Sequence, residues 1–372
     1  MNKSTSIYLD LVRLLAAGTV FAVHANYDRF TGGLPIFWRL SSLGNDAVMV
    51  FFVLSGFVIA YVSHQKEKTV KEYFASRFAR LYSVAAPALL LTVVLDFIGS
   101  RINYAIYDGW WFQADHPVWR LLANFFFVNE LWFSSIRPFS NGPFWSLGYE
   151  FWYYALFAAA YYLKGPRQYF LVAAIGLLVG PKILMLFPIW LLGVWVYWRT
   201  LKSPASLPSG LLMFFGSAAA YLVFRQGGFP QSLLDWTLGQ LGSKFVDDDL
   251  AWSKEFLSSY IIGALVALHL IGAATVAPRL SLLLERFETP IRYLAGYTFA
   301  IYLLHYPLLQ FFAALATPIA GQSLRAAIVL CGTVLGVWAV GTVTERRKGD
   351  LRRWLLAVYE TAARKLAPAN KG

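Results

Sequence analysis

The chain has 372 residues, of which 58 % are hydrophobic and only 14 % charged, with a formal net charge of +12. A water-soluble domain carries about 25 % charge, so the composition excludes an ordinary soluble fold and points to a polytopic membrane protein. The single Cys331 lies in an apolar run and excludes a disulfide framework within the chain.

The first apolar stretch, residues 6–27, contains Asp10, Arg13 and His24. A helix turns about 100° per residue, so His24 returns to within about 20° of Arg13, roughly 16 Å further along the axis. Asp10, three residues before Arg13, shares its face and can pair with it. Ionisable groups are costly in lipid, so this face predicts function. Taken singly, each group also fits a structural role: an ion pair reaching the interface for Arg13, a helix-end histidine for His24. The stretch lacks the small-residue cleavage site of a secretory signal.

Further spans are predicted at 44–63, 81–99, 143–163, 168–180, 183–199, 209–226, 256–277, 294–316 and 323–343, ten in all. The fifth and sixth are short and parted only by Gly180-Pro181-Lys182. Residues 119–133 are apolar but too few to span, and predict an interfacial or re-entrant helix. With a cytoplasmic N-terminus, 21 of the 32 Lys and Arg residues fall on the cytoplasmic side, ten on the other, and Arg13 inside the membrane. That excess predicts that both termini are cytoplasmic. It also assigns the surplus charge to orientation and anionic headgroups, with no nucleic acid involved. The expected organisation is an all-α polytopic bundle over 1–345 and a basic cytoplasmic tail over 346–372.

Three further groups stand out. Arg77 and Arg80 share a face three residues apart in the first cytoplasmic loop, a pairing that suits phosphate and equally a topological anchor. Glu150 lies about two turns into the fourth span, after Trp145-Ser146-Leu147. A buried carboxylate there needs a partner, either catalytic or a helix-packing arginine or histidine. His305 is mid-span with Tyr302 one turn earlier, whereas His269 has no polar company at helical spacing and reads as structural. Metal-ligand spacings, a phosphate-cradling loop and a nucleophile elbow are all missing from the sequence. Buried His, Arg and Glu also suit a proton-coupled transporter, although no paired halves with broken helices are visible. A third reading, non-catalytic polysaccharide binding, would use Trp110-Trp111 and Trp119.

In this order the segments resemble the acyltransferase 3 family of integral membrane acyltransferases. The resemblance rests on five pieces: Arg13 with His24; residues 44–57, Gly-Asn-Asp-Ala-Val-Met-Val-Phe-Phe-Val-Leu-Ser-Gly-Phe; Arg77-Phe78-Ala79-Arg80-Leu81-Tyr82; Trp145-Ser146-Leu147 with Glu150; and Tyr302-Leu303-Leu304-His305. One departure is Ser83, where the family commonly has proline; here Pro87 comes later. The resemblance implies transfer of an acyl group, usually acetyl, from cytoplasmic acyl-coenzyme A to a hydroxyl of an extracytoplasmic or lipid-linked glycan. It further implies a bacterial cytoplasmic membrane and the stand-alone form, without the fused hydrolase-like domain of many members. On that reading His24 is the general base. Arg13, with Asp10, and Glu150 complete the catalytic face. Arg77, Arg80 and Arg13 meet acetyl-coenzyme A, and Trp145, Tyr302, His305 and Ser55 meet substrate, with Ser55 and Tyr302 as candidate oxyanion donors.

Overall fold

The computed structural model describes residues 1–34, 42–202 and 205–366, and their regular structure is helical, apart from one isolated bridge between Gln113 and Phe139. In chain order the helices are α1 (Lys3–Ala25), α2 (Asp28–Thr31), α3 (Gly44–Gln65), α4 (Val70–Ile102), α5 (Pro117–Phe125) and α6 (Trp145–Tyr162). Then come α7 (Pro166–Lys202), α8 (Leu207–Leu211), α9 (Ser217–Gln226), α10 (Phe229–Leu241) and α11 (Phe256–Val276). The last are α12 (Ser281–Arg286), α13 (Glu288–Ala295), α14 (Thr298–Ala316), α15 (Gln322–Val343) and α16 (Lys348–Leu366).

By length and composition, eight helices are long and apolar enough to cross a membrane. The chain is thus an all-α polytopic membrane bundle. Three of the ten expected spans need comment. The span expected at 143–163 is α6, whose glutamate, serine and tyrosines dilute its apolar character. The spans expected at 168–180 and 183–199 form one element, α7, broken at Gly180 (φ 79°, ψ 180°). Before the break, Gln168 donates to the Ala160 carbonyl; after it, Tyr197 meets His64, so both halves return to one end and the chain reverses at Gly180. A Cβ at Gly180 would also strike Trp132, so glycine serves both the positive φ and the close approach.

Helix α4 is longer than its expected span, because Thr69 and Glu72 form a capping box that starts it at Val70, eleven residues earlier. Arg77 and Arg80 therefore stand on the membrane helix itself. Residues 119–133 form only the nine-residue α5 and then an irregular loop. Phe127 and Trp132 take positive φ there, and Glu130 pairs with Lys182 at 2.7 Å, both side chains buried. Much of the apolar pattern of this segment lies on the surface: Trp119, Leu122, Phe125, Phe126, Trp132 and Phe133 are exposed, whereas Ala123 and Phe127 are buried. At its exposed start, the Arg120 hydrogen bond holds the Asp115 carboxyl below the usual carboxylate range.

The core lies between α3 and α7, which meet at two glycines. A Cβ on Gly56 would run into the Trp190 carbonyl, and one on Gly193 into the Val53 carbonyl. Small residues allow such backbone contact between membrane helices. The expected tail begins with α16, which folds back on α4 through Lys71–Glu360 and Arg352–Ser76 contacts; residues 367–372 lie outside the described residues.

Candidate functional site

Helices α1 and α14 carry residues into two chambers. The inner one is a narrow cavity of about 70 Å³ lined by Arg13, Arg77, Arg80, Ser55, Glu150 and Tyr154, among others. The outer one is a cleft of about 1360 Å³ that contains His24, Tyr27, Trp110, Trp111, Trp145 and Trp252. Val48 and Tyr302 line both, so the chambers adjoin there. The helical spacing of Arg13 and His24 thus puts one in each chamber, along a single face of α1.

In the inner chamber, Arg13 donates to Asp10 at 3.0 Å and to the Ala295 carbonyl at 3.1 Å. Asp10 is also shared with Arg292. Arg77 pairs with Glu67 at 2.8 Å, almost buried. These partners leave the Nε atoms of Arg13, Arg77 and Arg80 buried and without a hydrogen-bond partner among the described residues. A buried donor left unmet costs about 1–3 kcal/mol, so three of them around one cavity fit an anionic ligand such as a polyphosphate. Glu150 accepts hydrogen bonds from Ser55 Oγ at 2.7 Å and from the Tyr154 hydroxyl. Its depth in the sequence resembles that of His24, but the structure puts it with the arginines. Ser55 is likewise held at this end, by Glu150 and by the Trp190 indole.

His24 belongs to a chain of hydrogen bonds. His305 Nδ1 lies 2.7 Å from the Ile301 carbonyl, and its Nε2 lies 2.8 Å from His24 Nδ1. The carbonyl can only accept, so His305 carries its proton on Nδ1 and its Nε2 accepts from His24. His24 then holds its proton on Nδ1, leaving the Nε2 lone pair free. His305 itself is fully buried and lines neither chamber, so the structure sets it behind His24 and not against a substrate.

The chain positions α14 by two local devices. Glu345 accepts from the backbone N–H of Phe299 and Ala300, capping the helix start. Pro307 has no N–H, which frees the Leu303 carbonyl; Asn141 donates to it at 2.9 Å and ties the start of α6 to α14. Tyr302, at the junction, shares a 2.7 Å hydrogen bond with Ser146. Trp145 stacks on Trp252, with ring centres 5.3 Å apart and planes 5° from parallel.

Sequence reasoning missed Trp252, Arg29 and Arg137, which all face the outer cleft. Arg29 lies in the single turn of α2, Trp252 in a three-residue helical turn and Arg137 in irregular chain, all too short for a periodicity to mark a face. The only available signal was the adjacent Trp110-Trp111 pair, read as part of a polysaccharide-binding loop; Trp119 lies apart, exposed on α5.

The fold defines an integral membrane helix bundle in which two chambers adjoin. Residues 6–342 match the family described as the acyltransferase domain, and the chain belongs to that acyltransferase 3 family. It is 31 % identical over 157 residues to acyltransferase MdmB of Streptomyces mycarofaciens, covering 41 % of this chain and 38 % of that protein. It is 27 % identical over 146 residues to exopolysaccharide production protein ExoZ of Rhizobium meliloti, covering 37 % of this chain and 40 % of that protein. The matches thus span about two fifths of these relatives. No solved structure matches the chain.

Proposed function

We propose that this membrane acyltransferase moves an acetyl group from acetyl-coenzyme A, bound in the inner chamber, to a hydroxyl of a glycan or lipid-linked saccharide in the outer cleft. The observation that carries the reading is the juncture of the chambers at Val48 and Tyr302. It sets a cluster of unpartnered guanidinium donors on one side and a histidine with a defined tautomer on the other. The phosphates of the donor take the free Nε donors of Arg13, Arg77 and Arg80, with Asp10 positioning Arg13. The thioester extends toward the junction. His24 Nε2 removes the proton from the acceptor hydroxyl as its oxygen attacks the thioester carbonyl carbon. The Tyr302 hydroxyl, itself bonded to Ser146, donates to the developing oxyanion. Collapse breaks the C–S bond, and the thiolate leaves with the proton that His24 gained. Glu150 orders Ser55 and Tyr154 and offsets the arginine charge.

The printed name of the exopolysaccharide production relative supports a glycan acceptor, and the stacked Trp145–Trp252 pair supplies an apolar platform for a sugar ring. The charge distribution supports donor entry from the cytoplasm of a bacterial inner membrane. Membrane vesicles holding the protein and endogenous acceptor, given radiolabelled acetyl-coenzyme A, provide the test. His24→Ala is expected to lower transfer by about 10²–10⁴-fold; wild-type transfer in that variant refutes the assignment.

A further inference from the structure

Two guanidinium groups of the outer cleft take no part in this chemistry. Four cations line the cleft, Arg29, Arg137, Arg225 and Lys254. Arg225 is paired with Asp46 and Lys254 with Asp247. Arg29 and Arg137 have no carboxylate partner among the described residues. Instead both are braced on one dipeptide. The Arg29 guanidinium lies 4.4 Å from the Trp111 ring centre, and that of Arg137 lies 5.0 Å from the Trp110 ring centre while donating to the Trp111 carbonyl at 2.9 Å.

Arg29 and Arg137 act on each other as like charges, the one carboxylate acting on Arg137 being Glu130, which is itself paired with Lys182; an anion between the two guanidinium groups relieves the repulsion. The Arg29 Nε is in addition buried without a hydrogen-bond partner. The pair is also close to the base: the Tyr306 ring packs edge-on to His24 with centres 5.1 Å apart, and its hydroxyl accepts from Arg29. On its other side Arg137 lines a smaller annex of about 290 Å³ that also includes Asn129. Asn129 is fully buried, and both atoms of its amide lack partners among the described residues. A polar ligand reaching past Arg137 would satisfy them.

We infer that Arg29 and Arg137 form an anion subsite beside His24, so that the acceptor is an acidic saccharide carrying a carboxylate or phosphate group near the hydroxyl that is acylated. The inference rests on the reading that the outer cleft takes the acceptor. A uronate in the glycan and the phosphate of a lipid-linked saccharide share the chemistry, and the probes separate them.

The experiment is calorimetric titration of the purified full-length protein with sodium glucuronate, sodium pyrophosphate and, as the neutral control, methyl glucoside. It is run on wild type, Arg77→Ala/Arg80→Ala, Arg137→Gln, Arg137→Lys and Arg29→Gln. At least one anion is expected to bind wild type and the Arg77→Ala/Arg80→Ala protein alike. That affinity is expected to fall about tenfold or more in Arg137→Gln, the loss of one charge-assisted hydrogen bond, and to return in part in Arg137→Lys. Glucuronate as the ligand indicates an acidic sugar; pyrophosphate indicates a phosphate-linked one. Arg29 braces four rings, whereas Arg137 touches two, Trp110 and Trp252, and makes one hydrogen bond to the Trp111 carbonyl; the Arg137 variants therefore decide the matter if Arg29→Gln fails to fold. The inference is overturned if neither anion binds, if binding is lost only in Arg77→Ala/Arg80→Ala, or if methyl glucoside binds equally well. Transfer to a neutral glycan with no anion binding would sink this inference and leave the acyltransferase reading standing. Anion binding without any transfer would do the reverse.

Discussion

Replacing His305 by phenylalanine isolates the part of the site that the His24 tautomer controls. The 2.8 Å contact to His24 and the 2.7 Å contact to the Ile301 carbonyl fix the direction of the chain. In His305→Phe the Nδ1–H of His24 loses its acceptor in a buried setting, a penalty of about 1–3 kcal/mol. His24 escapes it by moving the proton to Nε2 or by turning its ring, and either move removes the lone pair from the cleft. At 1.36 kcal/mol per decade, the rate should fall about ten- to a hundredfold, less than for His24→Ala. The inner chamber is untouched, so the fall belongs in kcat, with the KM for acetyl-coenzyme A unchanged. His305→Gln should recover part of the rate, because its amide oxygen can accept from His24. Thiol release from acetyl-coenzyme A in vesicles with endogenous acceptor measures all three. A His305→Phe protein of wild-type rate, or a loss that appears only in KM, refutes the relay.

Arg77→Ala and Arg80→Ala should each raise the KM for acetyl-coenzyme A about tenfold or more while leaving that for the acceptor alone, since each removes a charge-assisted donor; steady-state kinetics with both substrates varied will show it. Gly193→Ala places a methyl group on the Val53 carbonyl and should destabilise the protein by about 1–3 kcal/mol, read as a lowered thermal midpoint. Gly239→Ala, where a Cβ meets nothing within 4 Å, is the matched control and should be neutral. In sealed proteoliposomes of known orientation, acetyl-coenzyme A supplied at the face bearing Arg77 and Arg80 should support transfer, and supplied only at the Asp247–Asp249 face it should not.

The sequence makes the bundle legible because lipid imposes one strong rule, an apolar run of fixed length. It was less able to say where helices begin and break. The capping box at Thr69 and Glu72 was present in the sequence, yet hydropathy alone cut α4 to its apolar middle. The reversal at Gly180 depends on a positive φ that the adjoining Pro181 does not reveal. The separation of Arg13 and His24 followed from helical period alone, because both lie on one element. Glu150 was set at the wrong end of the site because depth along a helix says nothing about which neighbour it faces. Arg29, Arg137 and Trp252 come together from short turns and loops between the long helices, and such convergence has no one-dimensional signature.

The arrangement also explains why so few groups suffice. A soluble transferase draws donor and acceptor into one pocket. On the proposed reading the two arrive here from opposite faces of the membrane, and the protein holds each at its own level until their reactive atoms meet. Helix α1 does this by periodicity, with Arg13 and His24 eleven residues apart on one face. Helix α14 does it by repeating tyrosine: Tyr302 lines both chambers and Tyr306 only the outer one. The proline at 307 then frees a carbonyl for Asn141, so that the start of α6, with Trp145 and Ser146, is locked against the same face. The junction at Val48 and Tyr302 is therefore fixed by three helices at once. A site so determined can be narrow, and narrowness is what an acyltransferase needs, since water that reached the thioester would compete with the acceptor hydroxyl.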